Sequence, residues 1–279
     1  MVGSTNVDLV LTVPTLPRPG DTVLGTTSRR EAGGKGANQA AALARLGASV
    51  ALVSAVGDDE PGRWSLGELT DRGVDVSRIC VVDRPTGAAV VMVDAAGENA
   101  IVVTPGANAL VQSPESITSD VLVLSLEVPL DVVISAARVA AAAGTAVVLN
   151  AAPARKLPRA LLADVAVLVV NEGELAALGG DPAALCDLGP EAVVVTLGAK
   201  GCRIVTKARS ELLEAVSVPV VDTTGAGDCF TAALAFGVAS GWDISRSAHL
   251  ATAAAGRCVT AVGARGGHPT LPEALALLD

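Results

Sequence analysis

A glycine-rich turn followed by an acidic residue lies at residues 222–228, with the sequence DTTGAGD. An apolar run precedes this turn and an alanine-rich segment follows it, so the turn is expected to join a strand to the N-terminus of a helix. Backbone N–H groups and the helix dipole would then converge on one point and attract an anion. Asp228 would stand beside that anion as a general base for a substrate hydroxyl. The alternative is that Asp228 only caps the helix, because helix N-termini favour aspartate.

A second glycine-rich turn lies at residues 31–40, with the sequence EAGGKGANQA. It is not a P-loop, because Lys35 is not followed by serine or threonine and the required upstream glycine is missing. Nor is it a dinucleotide-binding turn, because Gln39 occupies the position of the third glycine. Glycines that admit close backbone approach, with Lys35 and Asn38 beside them, would suit a ligand rich in hydroxyl groups. The alternative is a helix-capping loop with a solvated lysine.

Two further pairs of polar residues stand at positions where side chains could share a ligand. Asn6 and Asp8 occupy alternate positions at the end of the first predicted strand, so their side chains point to the same face, although a solvated edge strand would also explain them. Asn171 and Glu174 lie one helical turn apart after a later strand, at the edge where open α/β sheets bind ligands. Their oxygen atoms could order Mg²⁺ through water; the alternative is an N-cap asparagine followed by glutamates that the helix dipole favours.

The remaining candidates carry weaker signals. Residues 196–201 (TLGAKG) form a flexible turn after another predicted strand. His249 and His268 have no acid–base partner at an informative spacing, and we interpret His249 as structural. Five cysteines are scattered along the chain without a C-x-x-C pair, so the sequence indicates neither a disulfide framework nor a zinc site.

The elements that must position these residues follow an α/β pattern from about Val121 onward. Short β-branched runs alternate with segments rich in alanine and leucine, as in a mostly parallel, doubly wound sheet covered by helices on both faces. Strands are predicted at 121–126, 146–149, 165–170 and 192–197, and helices at 37–46, 130–143, 172–178, 226–240 and 244–262.

The N-terminal third predicts a small β appendage instead. Strands are expected at 7–13 and 21–26, and at 88–93 and 99–103 around a hairpin turn at 95–97. Because these strands cannot form a stable core alone, we expect them to act as a lid, at about 9–30 and 86–106, over the ligand edge of the main sheet. Their free edges would pair with a second copy of the chain. The whole chain, 1–279, is then one domain.

Composition excludes several classes of protein. The 279 residues are 51% hydrophobic and 18% charged, so disorder is excluded, and the apolar stretch 139–154 is too short and too interrupted by polar residues, glycine and proline to span a membrane. The net charge of −9 disfavours binding to nucleic acid or to an anionic membrane. Aromatic residues make up only 1%, so the core must be built from alanine, valine and leucine. The scattered cysteines and the absence of a recognisable signal peptide predict a reducing cytoplasm.

Taken together and in order, these segments resemble the ribokinase-like, or PfkB, carbohydrate kinases over nearly the whole chain. The single GAGD motif would be weak evidence, but the series of motifs is specific. The motifs that carry the resemblance are GSTNVD at 3–8, PRPGDTV at 17–23, GGKGANQA at 33–40, GDD at 57–59, GEN at 97–99, PGAN at 105–108, LE at 126–127, NAAPA at 150–154, NEGE at 171–174, TLGAKG at 196–201 and DTTGAGD at 222–228.

The resemblance implies a role for each matching residue on the sugar side. Asp228 would remove the proton from the attacking 5-hydroxyl of D-ribose, and Gly225, Ala226 and Gly227 would form the anion hole for the transferred phosphoryl group. The residues that would hold the sugar are Asn6, Asp8, Gly34, Lys35, Asn38, Glu127 and Asp228.

The resemblance likewise implies a nucleotide side with two kinds of cation. Thr252 stands where related kinases often carry a histidine near the adenine, and Glu174 would help to position Mg²⁺. The residues expected to contact ATP are Asn171, Thr196, Leu197, Gly198, Ala199, Lys200, Gly201, Gly227 and Thr252. The expected ligands of an activating K⁺ ion are Asp222, Thr224, carbonyls near Cys258, Ala261 and Gly263, and Thr270.

The implied activity is ATP-dependent phosphorylation of D-ribose at the 5-hydroxyl by a cytoplasmic homodimer. A nucleoside kinase is the first alternative, although Trp64, Trp242, Phe230 and Phe236 all lie outside the predicted lid, where a base would need an aromatic contact. A sugar-phosphate kinase is a further alternative, in which Arg29 and Arg30 would reach the extra phosphate. The alternative from another class is a non-catalytic sugar-binding protein that kept the fold.

Overall fold

In the computed structural model, which describes residues 1–96 and 98–278, the first part of the chain is built mainly from strands. These strands are β1 (Asn6–Thr12), β2 (Thr27–Gly33), β3 (Val50–Ala51), β4 (Ser54–Gly57), β5 (Val74–Asp75), β6 (Ile79–Val82), β7 (Gly87–Val93) and β8 (Asn99–Thr104). The helices of this part are α1 (Lys35–Arg45) and α2 (Glu60–Asp71), and a 3₁₀ turn follows at Gly106–Leu110.

The second part alternates strands with helices. Its strands are β9 (Val121–Ser125), β10 (Ala146–Asn150), β11 (Val167–Asn171), β12 (Ala192–Thr196), β13 (Cys202–Thr206) and β14 (Ser210–Leu213). Its helices are α3 (Leu130–Ala142), α4 (Arg159–Ala163), α5 (Glu172–Ala177), α6 (Pro182–Cys186), α7 (Ala226–Ala239), α8 (Ile244–Cys258) and α9 (Leu271–Leu275), with a 3₁₀ turn at Gly198–Lys200. Among the described helices, none combines the length and the apolar character needed to cross a membrane.

The main sheet has the strand order β14-β13-β12-β11-β10-β9, parallel from β9 to β12 and antiparallel at β13 and β14. Both of its faces are buried. In β11, Val167 and Val169 belong to the core beneath α1, α7 and α8, whereas Leu168 and Val170 belong to the core beneath α3 and α4. Because helices cover both faces, the strands need no alternation of apolar and polar residues, and the predicted α/β class is confirmed.

Small residues let the helices of the first core pack closely. At Gly237 in α7, an added Cβ atom would stand 2.5 Å from the Ser247 hydroxyl of α8. The α7–α8 pair thus fits together without large side chains, which explains how a chain poor in aromatic residues fills its core.

A small sheet with the order β2-β1-β7-β8 forms the second layer of strands. β1 pairs antiparallel with β2 and parallel with β7, and β7 and β8 form the predicted hairpin. Gly97, which the sequence places in that hairpin turn, lies outside the described residues. The register sets Asn6 opposite Gly33 and Asp8 opposite Glu31.

Several predicted elements are wrong in their bounds. No strand covers 21–26 in this described stretch; the partner of β1 is β2, whose exposed residues hid it from an apolar pattern. α8 ends at Cys258 rather than at residue 262, because the carbonyl of Val259 accepts hydrogen bonds from the N–H groups of Val221 and Asp222. That anchorage replaces the strand predicted before the 222–228 turn. Asn6 and Asp8 stand at the beginning of β1, not at the end of a strand.

Candidate active site

Asp228 is buried in the first turn of α7, with 6% of its surface exposed. One carboxylate oxygen accepts a hydrogen bond from Gln39 Nε2 at 2.9 Å, and the other accepts one from Asn38 Nδ2 at 3.0 Å. Both donors lie near the start of α1, so the starts of α1 and α7 meet at this carboxylate. The residue at the N-cap position of α7 is Gly225, so Asp228 is not the cap that the alternative interpretation required.

A buried arginine fixes the orientation of Asn38. Arg265 donates from Nε to Asn38 Oδ1 at 2.8 Å and from Nη2 to the carbonyl of Gly33 at 3.0 Å. With its oxygen held in this way, Asn38 must turn its Nδ2 toward Asp228. Burial lowers the pKa of Arg265 to about 10, so it remains a cation at neutral pH. Sequence reasoning missed the roles of both Arg265 and Gln39. Their contacts join segments far apart in the sequence, and no local motif indicates such contacts.

The 222–228 turn is shaped as an anion site. Gly225 has a φ of 77°, and an added Cβ would stand 2.4 Å from the carbonyl oxygen of Ala264. No side chain caps α7 among the described residues, so its first N–H groups are open to an anion, apart from that of Ala226, which donates to the carbonyl of Thr223 at 3.2 Å. Asp222 holds the turn in place, because its carboxylate accepts hydrogen bonds from the N–H groups of Thr224 and Gly263, each at 2.9 Å. Burial acts to raise the pKa of Asp222, but these hydrogen bonds hold it below its ordinary value.

Asn6 and Asp8 are both presented at the beginning of β1. Asn6 is 3% exposed, and its Oδ1 accepts a hydrogen bond from Asn108 Nδ2 at 2.7 Å. Asp8 packs against Gly33, where an added Cβ would stand 2.1 Å from a carboxylate oxygen, and its Oδ1 has no hydrogen-bond partner among the described residues. Asp8 therefore presents a buried acceptor that a ligand hydroxyl could satisfy.

Glu127 joins the start of α1 to the loop before β1. Its Oε2 accepts hydrogen bonds from the Ser4 hydroxyl at 2.6 Å and from the N–H of Lys35 at 3.0 Å. Gly34 permits this close approach: its φ is 85°, and an added Cβ would stand 2.7 Å from the backbone nitrogen of Asn6. The 31–40 turn thus presses directly on the backbone that carries Asn6.

Lys35 lies at the electrostatic centre of the site and is not the solvated lysine of the alternative interpretation. The carboxylate of Asp228 is the main cause that raises the pKa of Lys35, and Glu127 and Glu174 raise it further. The same environment raises the pKa of Glu174, chiefly through burial, while Lys35 opposes the change. The charge of Lys35 therefore acts on three carboxylates: Glu127 of the predicted sugar site, the predicted base Asp228, and the predicted magnesium ligand Glu174.

A cavity of about 340 Å³ adjoins the start of α7 on the side of β12. Its walls are mainly apolar, with Val216, Phe230 and Val259 among them. The predicted nucleotide residues that line it are Thr196, Gly198, Ala199, Gly201, Gly227 and Thr252. Asn171, Leu197 and Lys200 lie outside its lining. Thr252 donates its hydroxyl proton to the carbonyl of Ala248 at 2.9 Å, so it can only accept a hydrogen bond from a ligand.

The predicted magnesium pair also has a structural role. Asn171 Oδ1 accepts from the N–H of Glu174 and Glu174 Oε2 accepts from the N–H of Asn171, each at 2.8 Å, which forms a capping box at α5. The N-cap alternative is therefore present in the structure. In the hydrogen bonds of the described residues Glu174 Oε1 takes no part, which leaves it available to a cation, and the charges of Lys35 and Asp228 both act on this carboxylate.

The predicted K⁺ ligands are divided by the fold. Asp222, Thr224 and Gly263 are joined by the hydrogen bonds described above, and the carbonyl of Cys258 accepts from the N–H of Ala261 at 3.4 Å. Thr270 instead caps α9, where its hydroxyl donates to Glu273 at 2.8 Å. This capping role commits the Thr270 hydroxyl to Glu273, so the geometry gives no support to its prediction as a cation ligand.

Comparisons with known proteins identify the family of the whole chain. Residues 1–271 match the pfkB family of carbohydrate kinases. The chain is 37% identical to a ribokinase of Haemophilus influenzae, over all of this chain and 97% of the relative, and 36% identical to a ribokinase of Bacillus subtilis, over all of this chain and 98% of the relative. It superimposes with a TM-score of 0.90 on the structure of an Arabidopsis thaliana ribokinase complexed with ribose and ATP, at 34% identity, over all of this chain and 97% of that chain. The chain therefore belongs to the pfkB family and is a carbohydrate kinase.

Proposed function

We propose that this enzyme transfers the γ-phosphoryl group of ATP to the 5-hydroxyl of D-ribose, which gives ribose 5-phosphate and ADP. The observation that carries the proposal is the position of Asp228. Its carboxylate is held by two amides of the 31–40 turn and stands at the uncapped start of α7, next to the apolar cavity. Relatives named ribokinase, and a related structure complexed with ribose and ATP, point to ribose as the acceptor.

In the proposed reaction, sugar and nucleotide approach Asp228 from opposite sides. The ring hydroxyls are held by five side chains, and Gly34 allows the backbone to come close. These side chains are Asn6, Asp8, Lys35, Asn38 and Glu127, the last through Oε1, since its Oε2 already accepts from Ser4 and Lys35. Asp228 accepts the proton of the sugar's 5-hydroxyl. The hydroxyl oxygen at the same time attacks the γ-phosphorus in line with the bond to the departing ADP. The N–H groups of residues 225–227 stabilise the negative charge that develops on the phosphoryl oxygens. These groups are held in place before the reaction, so little reorganisation is needed.

The nucleotide lies in the 340 Å³ cavity, with its base between apolar walls and its phosphates directed to residues 225–227. Mg²⁺ fits the free oxygen of Glu174, a hard acceptor beside the phosphate path, and would neutralise phosphate charge when bound. A monovalent cation such as K⁺ fits the carbonyl-rich turn that Asp222 links to Gly263. Lys35 completes the positive surroundings of the transferred group.

An acceptor that already carries a phosphate is disfavoured by the pairing of Arg29 and Arg30, the two arginines of β2 in the small sheet. Arg29 is bound to Glu31. Arg30 donates to both oxygens of Glu60 and also stacks on Trp64, with its guanidinium carbon 5.3 Å from the ring centre. Their charges are thus already compensated, which favours an unphosphorylated sugar.

The decisive assay measures ADP release from Mg-ATP with D-ribose, adenosine, fructose and fructose 6-phosphate offered separately, each in K⁺ and in Na⁺. We expect turnover to depend on ribose and to be faster in K⁺. Turnover on adenosine or fructose 6-phosphate with none on ribose would retain the kinase mechanism and overturn the acceptor. Absence of turnover on any sugar, with ribose still bound, would support a binding protein instead.

Sugar affinity is expected to depend on the ionisation of Asp8. Burial is the main cause that raises the pKa of Asp8 to about 6, Glu127 and Glu31 add to the rise, and Arg265 opposes it. Below pH 6 the carboxylate is increasingly protonated, and the protonated carboxyl group can no longer accept hydrogen bonds from sugar hydroxyls through both of its oxygens. We therefore expect the KM for ribose to rise by about tenfold between pH 7 and pH 5, because the ionised fraction falls by roughly that factor.

Steady-state kinetics across this pH range test the prediction with Asp8→Asn as the comparison. The variant is expected to have a high KM that changes little between pH 7 and pH 5. If wild type and variant show the same change of KM with pH, another group is responsible. The raised pKa also means that ionisation of Asp8 opposes folding. The protonated Asp8 therefore contributes to the stability of the fold, and this contribution is fully present below pH 4 and is lost as the pH rises through about 6.

We further propose that the small sheet is a lid over the sugar and that it joins two copies of the chain. β8 is an edge strand on which Ile101, Val102 and Val103 are 55%, 62% and 48% exposed. Apolar exposure on both faces of an unpaired edge is typical of an interface. A second copy would bury these residues and complete the wall above Asn6 and Asp8.

Light scattering at micromolar concentration is expected to give the mass of a dimer. Val102→Lys should shift the mass toward that of a monomer, because it places a charge in the proposed contact. Val81→Lys is the control, since Val81 is similarly exposed, at 56%, but lies outside the small sheet. A monomeric mass for the wild type would refute this mode of assembly.

We place the enzyme in a reducing cytoplasm, where its sugar and ATP would be available. In agreement with this, all five cysteines are free thiols, and Cys80 is exposed. The other four are buried in the core.

A further inference from the structure

Three side chains of types that bind metals cluster next to the 222–228 turn. The sulfur atoms of Cys229 and Cys258 and a ring nitrogen of His268 all lie within 4.8 Å of one another. Both cysteines are fully buried, and His268 is 7% exposed. The three residues come from the first turn of α7, the last residue of α8 and the loop before α9, so the fold and not a sequence motif brings them together.

The imidazole of His268 is buried without a hydrogen-bond partner for either ring nitrogen in the part of the chain that the structure describes. Such an unsatisfied group is costly in a core unless a ligand completes it. Gly267 places the ring there, because it lies so close to α8 that an added Cβ would stand 2.1 Å from the carbonyl oxygen of Cys258.

We propose that Cys229, Cys258 and His268 form a binding site for one thiophilic d¹⁰ cation such as Zn²⁺. Zinc bonds of about 2.3 Å to sulfur and about 2.0 Å to nitrogen place tetrahedral ligand atoms roughly 3.5–3.8 Å apart. The cluster can reach that spacing by small movements of the three side chains and of the first turn of α7. Binding releases the two thiol protons to solvent, forms two Zn–S bonds and one Zn–N bond, and leaves a fourth position for water.

The state of the imidazole suits this role. The ring nitrogens of His268 have no hydrogen-bond partner among the described residues, and one of them lies in the same cluster as the two sulfur atoms. A neutral ring offers a lone pair to a metal without first losing a proton. The protein thus holds a ready nitrogen ligand next to two thiols.

Occupation of the site would act on catalysis. Cys229 directly follows Asp228, so an ion that draws its sulfur toward Cys258 and His268 would move the first turn of α7. We expect bound Zn²⁺ to slow phosphoryl transfer. This consequence rests on the proposed function, whereas the binding itself is measured without any enzymatic assay.

The test uses the full chain carrying Cys80→Ser, which removes the exposed thiol, purified metal-free under a phosphine reductant. Addition of Co²⁺ is expected to give a thiolate-to-cobalt charge-transfer band and strong visible bands typical of tetrahedral cobalt. One equivalent of Zn²⁺ should abolish both. Competition with a chromogenic chelator then gives the Zn²⁺ affinity.

Variants decide whether the cluster is the site. Cys229→Ser and His268→Leu should each weaken Zn²⁺ binding by at least about tenfold, since even the loss of a residue that supports a ligand costs 10–100-fold. Cys186→Ser is the matched control, because Cys186 and Cys229 are both buried thiols that donate to a backbone carbonyl at 3.4 Å. Removal of the unpartnered imidazole in His268→Leu should leave the metal-free melting temperature unchanged or raised, which distinguishes lost binding from misfolding.

Several results would overturn the proposal. One is the absence of the charge-transfer band after Co²⁺ is added to the metal-free protein. Another is a Zn²⁺ affinity that Cys186→Ser weakens as much as Cys229→Ser does. A third is an affinity that His268→Leu leaves unchanged.

Discussion

Asp228→Asn is expected to lower the kcat for ribose phosphorylation by at least about 10²-fold, with ribose still bound. The variant removes the proton acceptor while keeping almost the same volume. It also replaces one acceptor oxygen by an NH₂ group. Because Arg265 fixes Asn38 and Gln39 points an amide at the other oxygen, the new NH₂ group must face a donor.

The measurements are kcat from ADP release and the Kd for ribose by calorimetry without nucleotide. Asp243→Asn is the matched control: Asp243 caps α8 by accepting from the N–H of Arg246 at 2.9 Å, and asparagine caps helices as well as aspartate does. That control should keep full activity. A kcat for Asp228→Asn within tenfold of the wild type would show that the carboxylate does not act as the base.

Gly225→Ala is expected to have the second-largest effect, a fall in kcat of at least about 10²-fold. Gly225 has a φ of 77°, in the left-handed region, and its missing side chain faces the carbonyl of Ala264 at 2.4 Å. A methyl group there must push the turn and the 263–267 loop apart. The N–H groups that should receive the phosphoryl oxygens would then point in other directions.

Gly241→Ala separates backbone strain from the loss of the turn. Gly241 has a similar φ of 73° and lies in the α7–α8 connection, where its added Cβ would have no described residue within 4 Å other than its own chain neighbours. This control should lose about 1–2 kcal/mol of stability and keep its kcat. Equal activity losses in the two variants, or a normal kcat in Gly225→Ala, would contradict the assignment of the turn as the phosphoryl site.

Local patterns were sufficient for the parts of the site that are contiguous in sequence. Gly34, Lys35 and Asn38 all fall within residues 34–38, and the 222–228 turn carries its glycines and Asp228 together. The spacing of such residues fixes their relative positions before any tertiary contact forms. The alternation of strands and helices after Val121 was informative for the same reason. The apolar residues of each strand or helix follow one another in the sequence, so each element is visible in its own segment.

What escaped the sequence depends on contacts between distant segments. Arg265 meets Asn38 across 227 positions, and Gln39 meets Asp228 across 189 positions. β2 was missed because backbone pairing with β1, not apolar side chains, holds it in the small sheet. The end of α8 was misplaced because the carbonyl of Val259 is used by another segment of the chain.

The close packing of α7 on α8 affects how this protein can change during evolution. Where alanine and glycine fill an interface, truncating a side chain removes few atoms, so cavity-forming substitutions should be comparatively mild there. Enlargement is the dangerous direction, because Gly237 has a neighbouring atom only 2.5 Å from the position of a new Cβ. Substitutions that add a single methyl group should therefore be eliminated by selection at this interface more strongly than those that remove one.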